Sequence, residues 1–548
     1  MGKGVMSKEK IRNTAAGAVV IVIVLVAMLI VPRQQVVQTT GNQSAPSSVV
    51  IPSGVTHPPA PGTTGVTVSG SRCGPGIRQI PGNTYTPVCL PKWSGNNGGD
   101  TAPGVTAHHI NLTYRYATSQ ILQLLYGFVP RSVIGTNTNT FHTLETYVKY
   151  FNSRFELYGR TVSVKSFVGQ GNFITEDTGG GIQQAQQDAL TASTTLHAFA
   201  DMSLVDSSEV YEKALQDHHV VSFGLYLEAH SWYQENAPYQ FTPGPNCTKS
   251  ALAIGAMLGK QLAGLPAIYA GNTSLRKKIR KYGIAYPNEP TAQTCAHDIV
   301  KDIGRYGVPV TQQYAFTFNP ADLPSQSTAA MAQMKANGVT TVILSSTDPV
   351  SPIYFMEAAA RANYYPEWVL ESYFGGPSSG LDGPMQNYGI QAAKAVPGAD
   401  RELAGVIAPG QPAYPLNQEQ AYKVYVAENG SPAGIAPMYQ MVYSTVLFFF
   451  DALQAAGPYL TPQNLEAGLA NTAELAPSKP VGSLGGWSFG PGTFDPMATF
   501  QVLRFDLNKL SPVDGKPGTL VACDQGKVFY YTRAGSELPR HKQLSCTF

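Results

Sequence analysis

Charged side chains are scarce in this chain: only 13% of residues are Asp, Glu, Lys or Arg, and the formal net charge is +2. A chain so poor in charge presents no broad cationic surface, which excludes nucleic acid as an expected partner. Cysteine is scarce too, with six in 548 residues. None forms a C-x-x-C, and no histidine stands at zinc-ligand spacing from them, so no metal is expected. The pairs His108-His109 and His218-His219 have no carboxylate or cysteine close in sequence and read as surface or capping residues. Cofactor loops are missing as well. Gly179-Gly180-Gly181 precedes a helical stretch but has neither the Walker lysine nor a G-x-G-x-x-G register, so it opens a helix and no cofactor is expected. Gly376-Pro377-Ser378-Ser379-Gly380 fits G-x-S-x-G after a strand. The segment LDGPMQNYG that follows does not read as a helix and Pro377 sits beside Ser378, so a flexible loop is expected rather than a hydrolase nucleophile. The chain is read as a non-enzyme.

Long apolar runs are limited to one. Thr14 to Val31 gives 18 residues, roughly 27 Å as a helix, preceded by Lys3, Lys8, Lys10 and Arg12. The positive-inside rule keeps residues 1–13 in the cytoplasm and sends the rest outside, through a single-pass anchor at 14–31. A cleaved signal peptide is the competing reading; no A-x-A site or lipid-anchor cysteine follows the run, which favours an uncleaved anchor. Met438 to Ala456 is strongly apolar, yet Gln440, Asp451 and Gln454 interrupt it, so a buried helix is expected there.

An even cysteine count beyond an N-terminal apolar segment reads as disulfides in an oxidising compartment. Connectivity is open from sequence; the preferred set pairs nearest neighbours, Cys73 with Cys89, Cys247 with Cys295 and Cys523 with Cys546. Residues 32–72 are rich in Pro, Ser, Thr, Gly and Gln and read as a disordered or extended tether. Residues 73–104 form a cysteine-bounded loop segment. Asn111, Asn246 and Asn272 head N-x-[ST] sequons.

From Val105 onward, β-rich runs alternate with helix-length segments. HINLTYRY (109–116) alternates as a strand, and Leu144, Tyr147, Val148, Phe151 and Phe155 share a helical face. Later, Ala296, Ile299, Val300 and Ile303 recur at helical spacing, Val342-Ile343-Leu344 suits a strand buried on both faces, and Gly307 and Gly338 stand at helix ends. Repeated strand–helix–strand units predict an α/β fold of two doubly wound parallel-sheet lobes, with ligands beyond the carboxyl ends of the strands.

The element order, together with KYGIAYPN, GVTTVILSSTDP, FMEAAARANYYPEWVLESYFGG, YSTVLFFFDALQAAG and FQVLRFD, resembles the type I periplasmic-binding-protein fold. It is most similar to the leucine/isoleucine/valine-binding family of ABC-transporter substrate-binding proteins. The resemblance implies two lobes joined by three crossovers at a hinge: 105–245 and 375–458 in lobe 1, 246–374 and 459–548 in lobe 2, the last stretch including a C-terminal extension. It implies an extracytoplasmic protein that encloses a small molecule and delivers it to an ABC-type permease; the alternative is a ligand-sensing or cell-envelope receptor reusing the fold. Family members hold a ligand carboxylate with a hydroxyl and backbone amides at first-lobe strand ends, here Asp201, Ser203, Gly224 and Tyr226, near the helix start at Ser207. Asp201 would oppose an anion. Second-lobe strand ends give Ser346, Thr347, Asp348 and Tyr373. The acid that family members use for a ligand ammonium falls near Ser372 or Tyr373, with Asp348 a substitute; Asp348 also suits a helix cap. Trp232, Tyr233 and Tyr373 are aromatic residues for the cleft or for packing.

Overall fold

The computed structural model describes residues 48–224, 228–346, 348–371, 381–472 and 482–546. The apolar run at 14–31 lies outside these residues, and among the described residues no helix is long and apolar enough to cross a membrane.

From Ser48 the chain is already packed, so the stretch expected to be a tether is a tether at most up to that point. Val50 donates its N–H to Asn464 Oδ1 at 2.8 Å and accepts from Asn464 Nδ2 at 2.7 Å. β1 (Gly65–Val66) pairs antiparallel with β2 (Arg72–Cys73). The Cys73–Cys89 bridge closes the adjoining loop, whose Asn83 Nδ2 donates to Tyr443 Oη at 3.0 Å. Proline and glycine mark the absence of long elements here, but side-chain hydrogen bonds to distant partners hold the segment, and composition does not reveal those.

The first lobe is a parallel sheet of β3 (His109–Tyr116), β4 (Thr161–Val168), β5 (Ala200–Asp201), β6 (Val221–Phe223) and β7 (Gln240–Phe241), in the order β4-β3-β5-β6-β7. Its helices are α1 (Ser119–Leu125), α2 (Arg131–Ile134), α3 (Asn137–Asn152), α4 (Phe173–Asp177), α5 (Ile182–Leu190), α6 (Glu209–Asp217) and α7 (His230–Glu235). Leu144, Tyr147, Val148 and Phe151 of α3 are buried with the apolar helix discussed below, whereas Ala185 and Ala189 of α5 and Tyr211, Ala214 and Leu215 of α6 form a separate cluster. Ser208 caps α6 by accepting from Tyr211 N at 3.1 Å.

The second lobe begins with α8 (Cys247–Gly255), tied by the Cys247–Cys295 bridge to α9 (Pro290–Gly304). Its parallel sheet runs β11-β10-β8-β9, from β8 (Tyr282–Pro287), β9 (Val310–Phe316), β10 (Thr341–Ser345) and β11 (Glu367–Glu371), with α10 (Leu323–Ala336) and α11 (Ser351–Arg361) between strands. Val342, Ile343 and Leu344 of β10 are buried, as an interior strand covered on both faces requires. Gly307 and Gly338 adopt φ of +75° and +66°, the left-handed ends expected of them.

Two expectations are corrected beyond 380. The segment LDGPMQNYG is expected to be non-helical, yet α12 (Asp382–Ala395) takes in all of it but Leu381, its N-cap. Pro384 stands in the first turn, where its missing N–H costs nothing. The absence of a following helix therefore does not count against Ser378, which itself lies outside the described residues. Moreover, α12 shares the second-lobe core: Met385, Tyr388 and Ala392 are buried with Phe355 and Trp368. β12 (Ile407–Gly410) adjoins β11 through a parallel Trp368–Val406 bridge. Residues 382–410 thus pack on the second lobe, although 375–458 was expected in the first.

The chain returns to the first lobe with α13 (Gln420–Asn429), α14 (Tyr439–Ala456) and α15 (Pro462–Ala470). α14 is buried nearly all round, as its composition predicts, and Tyr443 and Phe450 meet Phe151 at ring distances of 5.4 Å. β13 (Thr499–Leu510) then pairs with β12, β14 (Pro517–Ala522) and β15 (Val528–Tyr530), followed by α16 (Ala534–Glu537) and the Cys523–Cys546 bridge. All three disulfides are the nearest-neighbour pairs.

The three crossings hydrogen-bond to one another. Thr242 N donates to Phe494 O at 2.9 Å, Asn246 Nδ2 to Asp495 Oδ2 at 2.8 Å, and Gln411 Nε2 to Thr499 O at 2.5 Å. Lys249 pairs with Asp495 at 2.5 Å. Asn246 is buried in this hinge and also caps α8, so its sequon offers no room for a glycan.

Candidate functional site: the cleft between the lobes

Acids of α4 and α6 in the first lobe stand within electrostatic reach of Glu289 and Asp348, at the starts of α9 and α11 in the second. Phe128, after α1, packs on Tyr354 of α11 with ring centroids 6.3 Å apart, and its carbonyl accepts from Asn387 Nδ2 at 2.9 Å. Thr291, in the first turn of α9, stands beside the Glu228 carboxyl of the first lobe.

At the first-lobe strand ends an arginine inside β3 organises everything else. Arg115 is fully buried and bonds Glu176 with both terminal nitrogens, at 2.8 and 3.0 Å. It also reaches Asp188 at 3.3 Å and Asp206 at 3.5 Å, and its guanidinium lies 3.6 Å above the Tyr211 ring. One cation thus serves three buried carboxylates. Burial pushes Asp206 up to about 7 despite the pull of Arg115. Backbone amides complete the arrangement: Gln170 and Gly171 donate to Asp188 at 2.8 and 2.9 Å, and Phe173 donates to Asp206 at 3.1 Å.

The residues expected to meet a ligand carboxylate are already engaged by carboxylates of the chain. Ser203 donates to Asp201, which also accepts from Thr113 Oγ1 at 2.5 Å; burial raises Asp201 to about 6. Ser207 donates to Glu212 and Ser208 to Glu176. Gly224 backs directly onto Glu212, whose Oε1 would lie 1.5 Å from an added Cβ, so any side chain there would displace that carboxylate. Burial raises Glu212 to about 8. Tyr226 lies outside the described residues. Trp232 donates its indole N–H to Glu209 Oε1 at 3.1 Å, and Tyr233 stacks on Phe494 of the hinge at 6.1 Å.

In the second lobe, Asp348 accepts from Val350 N and Ser351 N at 2.8 and 2.6 Å, and Ser346 donates to it. It caps the start of α11, as the sequence allowed. Thr347 and Tyr373 lie outside the described residues. One position before Ser372, Glu371, last in β11, accepts from Ser345 Oγ at 2.5 Å, and burial lifts it to about 7. The sequence reading sets this strand end at Ser372 and Tyr373, so Glu371 is not among its candidates. Across the cleft, Asp177 of α4 is held well above the usual carboxylate range by burial, then by Glu176, Glu289, Asp348 and Glu209. Two of those four acids belong to the second lobe.

A family model described as periplasmic binding protein matches residues 140–491. The chain belongs to the periplasmic binding protein family. Comparison with curated proteins finds no match. Among solved structures, the fold resembles a leucine-, isoleucine-, valine-, threonine- and alanine-binding protein from Brucella ovis in its closed conformation, at 14% identity and a TM-score of 0.52, covering 80% of this chain and 98% of that one. It resembles an ABC-transporter solute-binding protein from R. palustris in complex with 4-hydroxybenzoate, at 12% identity and a TM-score of 0.50, covering 75% and 95%. A third likeness is an ABC-transporter substrate-binding protein from Aeropyrum pernix, at 13% and 0.50, covering 78% and 99%. At these identities the likeness concerns the fold: two parallel-sheet lobes around a cleft.

Proposed function

We propose that this periplasmic binding protein is an extracytoplasmic solute-binding protein that encloses a small molecule between its lobes and passes it to an ABC-type permease, tethered to the membrane by residues 14–31. The observation that carries the reading is a pair of parallel-sheet lobes joined by a hydrogen-bonded hinge of three crossings, with Phe128 of the first lobe against Tyr354 of the second. Two sheets joined this way close around a ligand by rotation about the crossings. The bound solute would touch groups from both lobes, among them Asp177, Glu228 and Glu371, while Asp201, Ser203, Gly224, Ser346 and Asp348 support the walls behind them. No nucleophile or cofactor loop enters this account, and the role is binding rather than catalysis. A thermal-shift screen of the full-length protein against amino acids, amines, aromatic acids and amides tests it. A ligand of the folded state adds about 2.7 kcal/mol of stability at a hundredfold excess over its dissociation constant. A concentration-dependent rise supports solute binding; no rise with any solute class counts against it and favours a receptor for a protein partner.

A further inference from the structure

The cleft is negative where related folds are expected to receive a carboxylate. In the first lobe the amides and hydroxyls at the strand ends are taken by Asp188, Asp201, Asp206, Glu176 and Glu212. The charges that bear most on Asp177 are all carboxylates, from α4, α6 and the starts of α9 and α11. Glu228 supplies a second, independent sign. It is 2% exposed, stands beside Thr291 of the opposite lobe, and its Oε2 has no hydrogen-bond partner. A buried carboxylate oxygen without a donor is costly unless a ligand supplies one. Lys213 is the cation acting on this group, and it is already paired with Glu209 at 2.9 Å.

We infer that the cleft binds an organic cation, an amine or guanidine without a compensating carboxylate, whose N–H groups are received by Asp177 and Glu228. The inference rests on the solute-binding reading. A metal ion is the poorer occupant, because among the described residues no group of three or more His, Cys, Asp or Glu side chains is arranged to hold one. An alkylammonium or guanidinium brings several donors on a chain that bridges separated acids. Asp177 and Glu228 are both held above the usual carboxylate range by burial and by the acids around them, Glu176, Glu209, Glu212, Glu289 and Asp348, with Lys213 opposing at Glu228. A bound cation favours their ionised forms, so binding releases protons.

Isothermal titration of the full-length protein with agmatine and spermidine, beside arginine, leucine and 4-hydroxybenzoate, tests this. Agmatine or spermidine is expected to bind with proton release, at least tenfold more tightly than arginine or leucine. Asp177→Asn and Glu228→Gln each weaken that binding tenfold or more, and Glu428→Gln, outside the cleft, leaves it unchanged. Raising the ionic strength weakens binding to the unaltered protein, a readout independent of the variants' folding. Tight binding of leucine or 4-hydroxybenzoate with none of the amines overturns the charge inference and leaves solute binding standing. Amine binding indifferent to both cleft substitutions overturns the site. Binding of none of the five overturns both readings.

Discussion

Arg115 in the first lobe and Arg280 in the second both have side chains wholly out of solvent, and the two are used in opposite ways. Arg280, just before β8, meets Glu367, the first residue of β11, through two bonds of 2.7 and 2.9 Å; that carboxylate also accepts from Tyr269 N and Thr341 Oγ1, both at 3.0 Å. Charge is balanced one to one, at the amino ends of the strands, away from the cleft. Arg115 lies near the carboxyl end of β3 and shares its charge among Glu176, Asp188 and Asp206. Of the two arginine sites, the one with excess negative charge thus stands at the end of the fold where ligands sit. The balanced pair fixes the order of strands; the unbalanced cluster sets up a cleft that gains stability when a cation arrives.

The largest effect is expected from Arg115→Ala, which strips three buried carboxylates of their cation. Breaking a buried pair costs about 3–5 kcal/mol, and this loss should lie at or above the upper end at pH 8. It should be partly recovered at pH 5, where the carboxylates take up protons. Arg280→Ala should cost a similar or somewhat smaller amount and show less recovery, since one carboxylate is orphaned there. Chemical unfolding at both pH values measures the contrast, and equal recovery in the two variants would erase it.

A smaller effect concerns pH in the unaltered protein. Asp206, Glu212 and Glu371 have folded-state values of about 7, 8 and 7, above their unfolded values of about 4. Between those limits the folded state holds more protons than the unfolded one, so stability falls as pH rises from about 4 to about 8 and levels off beyond. Glu212→Gln should flatten the upper part of that fall, read as melting temperature against pH. The smallest expected change is Asp177→Asn without ligand. Relief of like-charge repulsion should raise stability by up to about 1 kcal/mol. A loss there would mean that Asp177 serves the fold rather than the ligand.

Much of this fold was legible in the sequence. Strand-length runs such as Val342-Ile343-Leu344, the left-handed Gly307 and Gly338, and the interrupted apolar helix at 439–456 each carry a local signal. What escaped was held by distant partners. The segment from Ser48 reads as a tether because nothing local shows that Val50 meets Asn464. α12 was missed because Pro384 and Gly383 break a helix in its interior but not in its first turn. The site was harder. Ser203, Asp201 and Asp348 were found at strand ends, but which of them face a ligand depends on the partners each already has. Arg115 carried a signal that went unused: a charged residue between two tyrosines in an interior strand must find buried counter-charges.

The most direct test of the account is the distance between the lobes with and without a ligand. All six native cysteines are paired, so Lys149→Cys on α3 and Ala329→Cys on α10 place one spin label on each lobe at exposed positions. Pulsed dipolar spectroscopy should show a broad interlabel distribution without ligand. With saturating agmatine or spermidine it should collapse to one narrow population at the short end. A distribution unchanged by an amine that binds at saturation would contradict closure of the lobes around the solute.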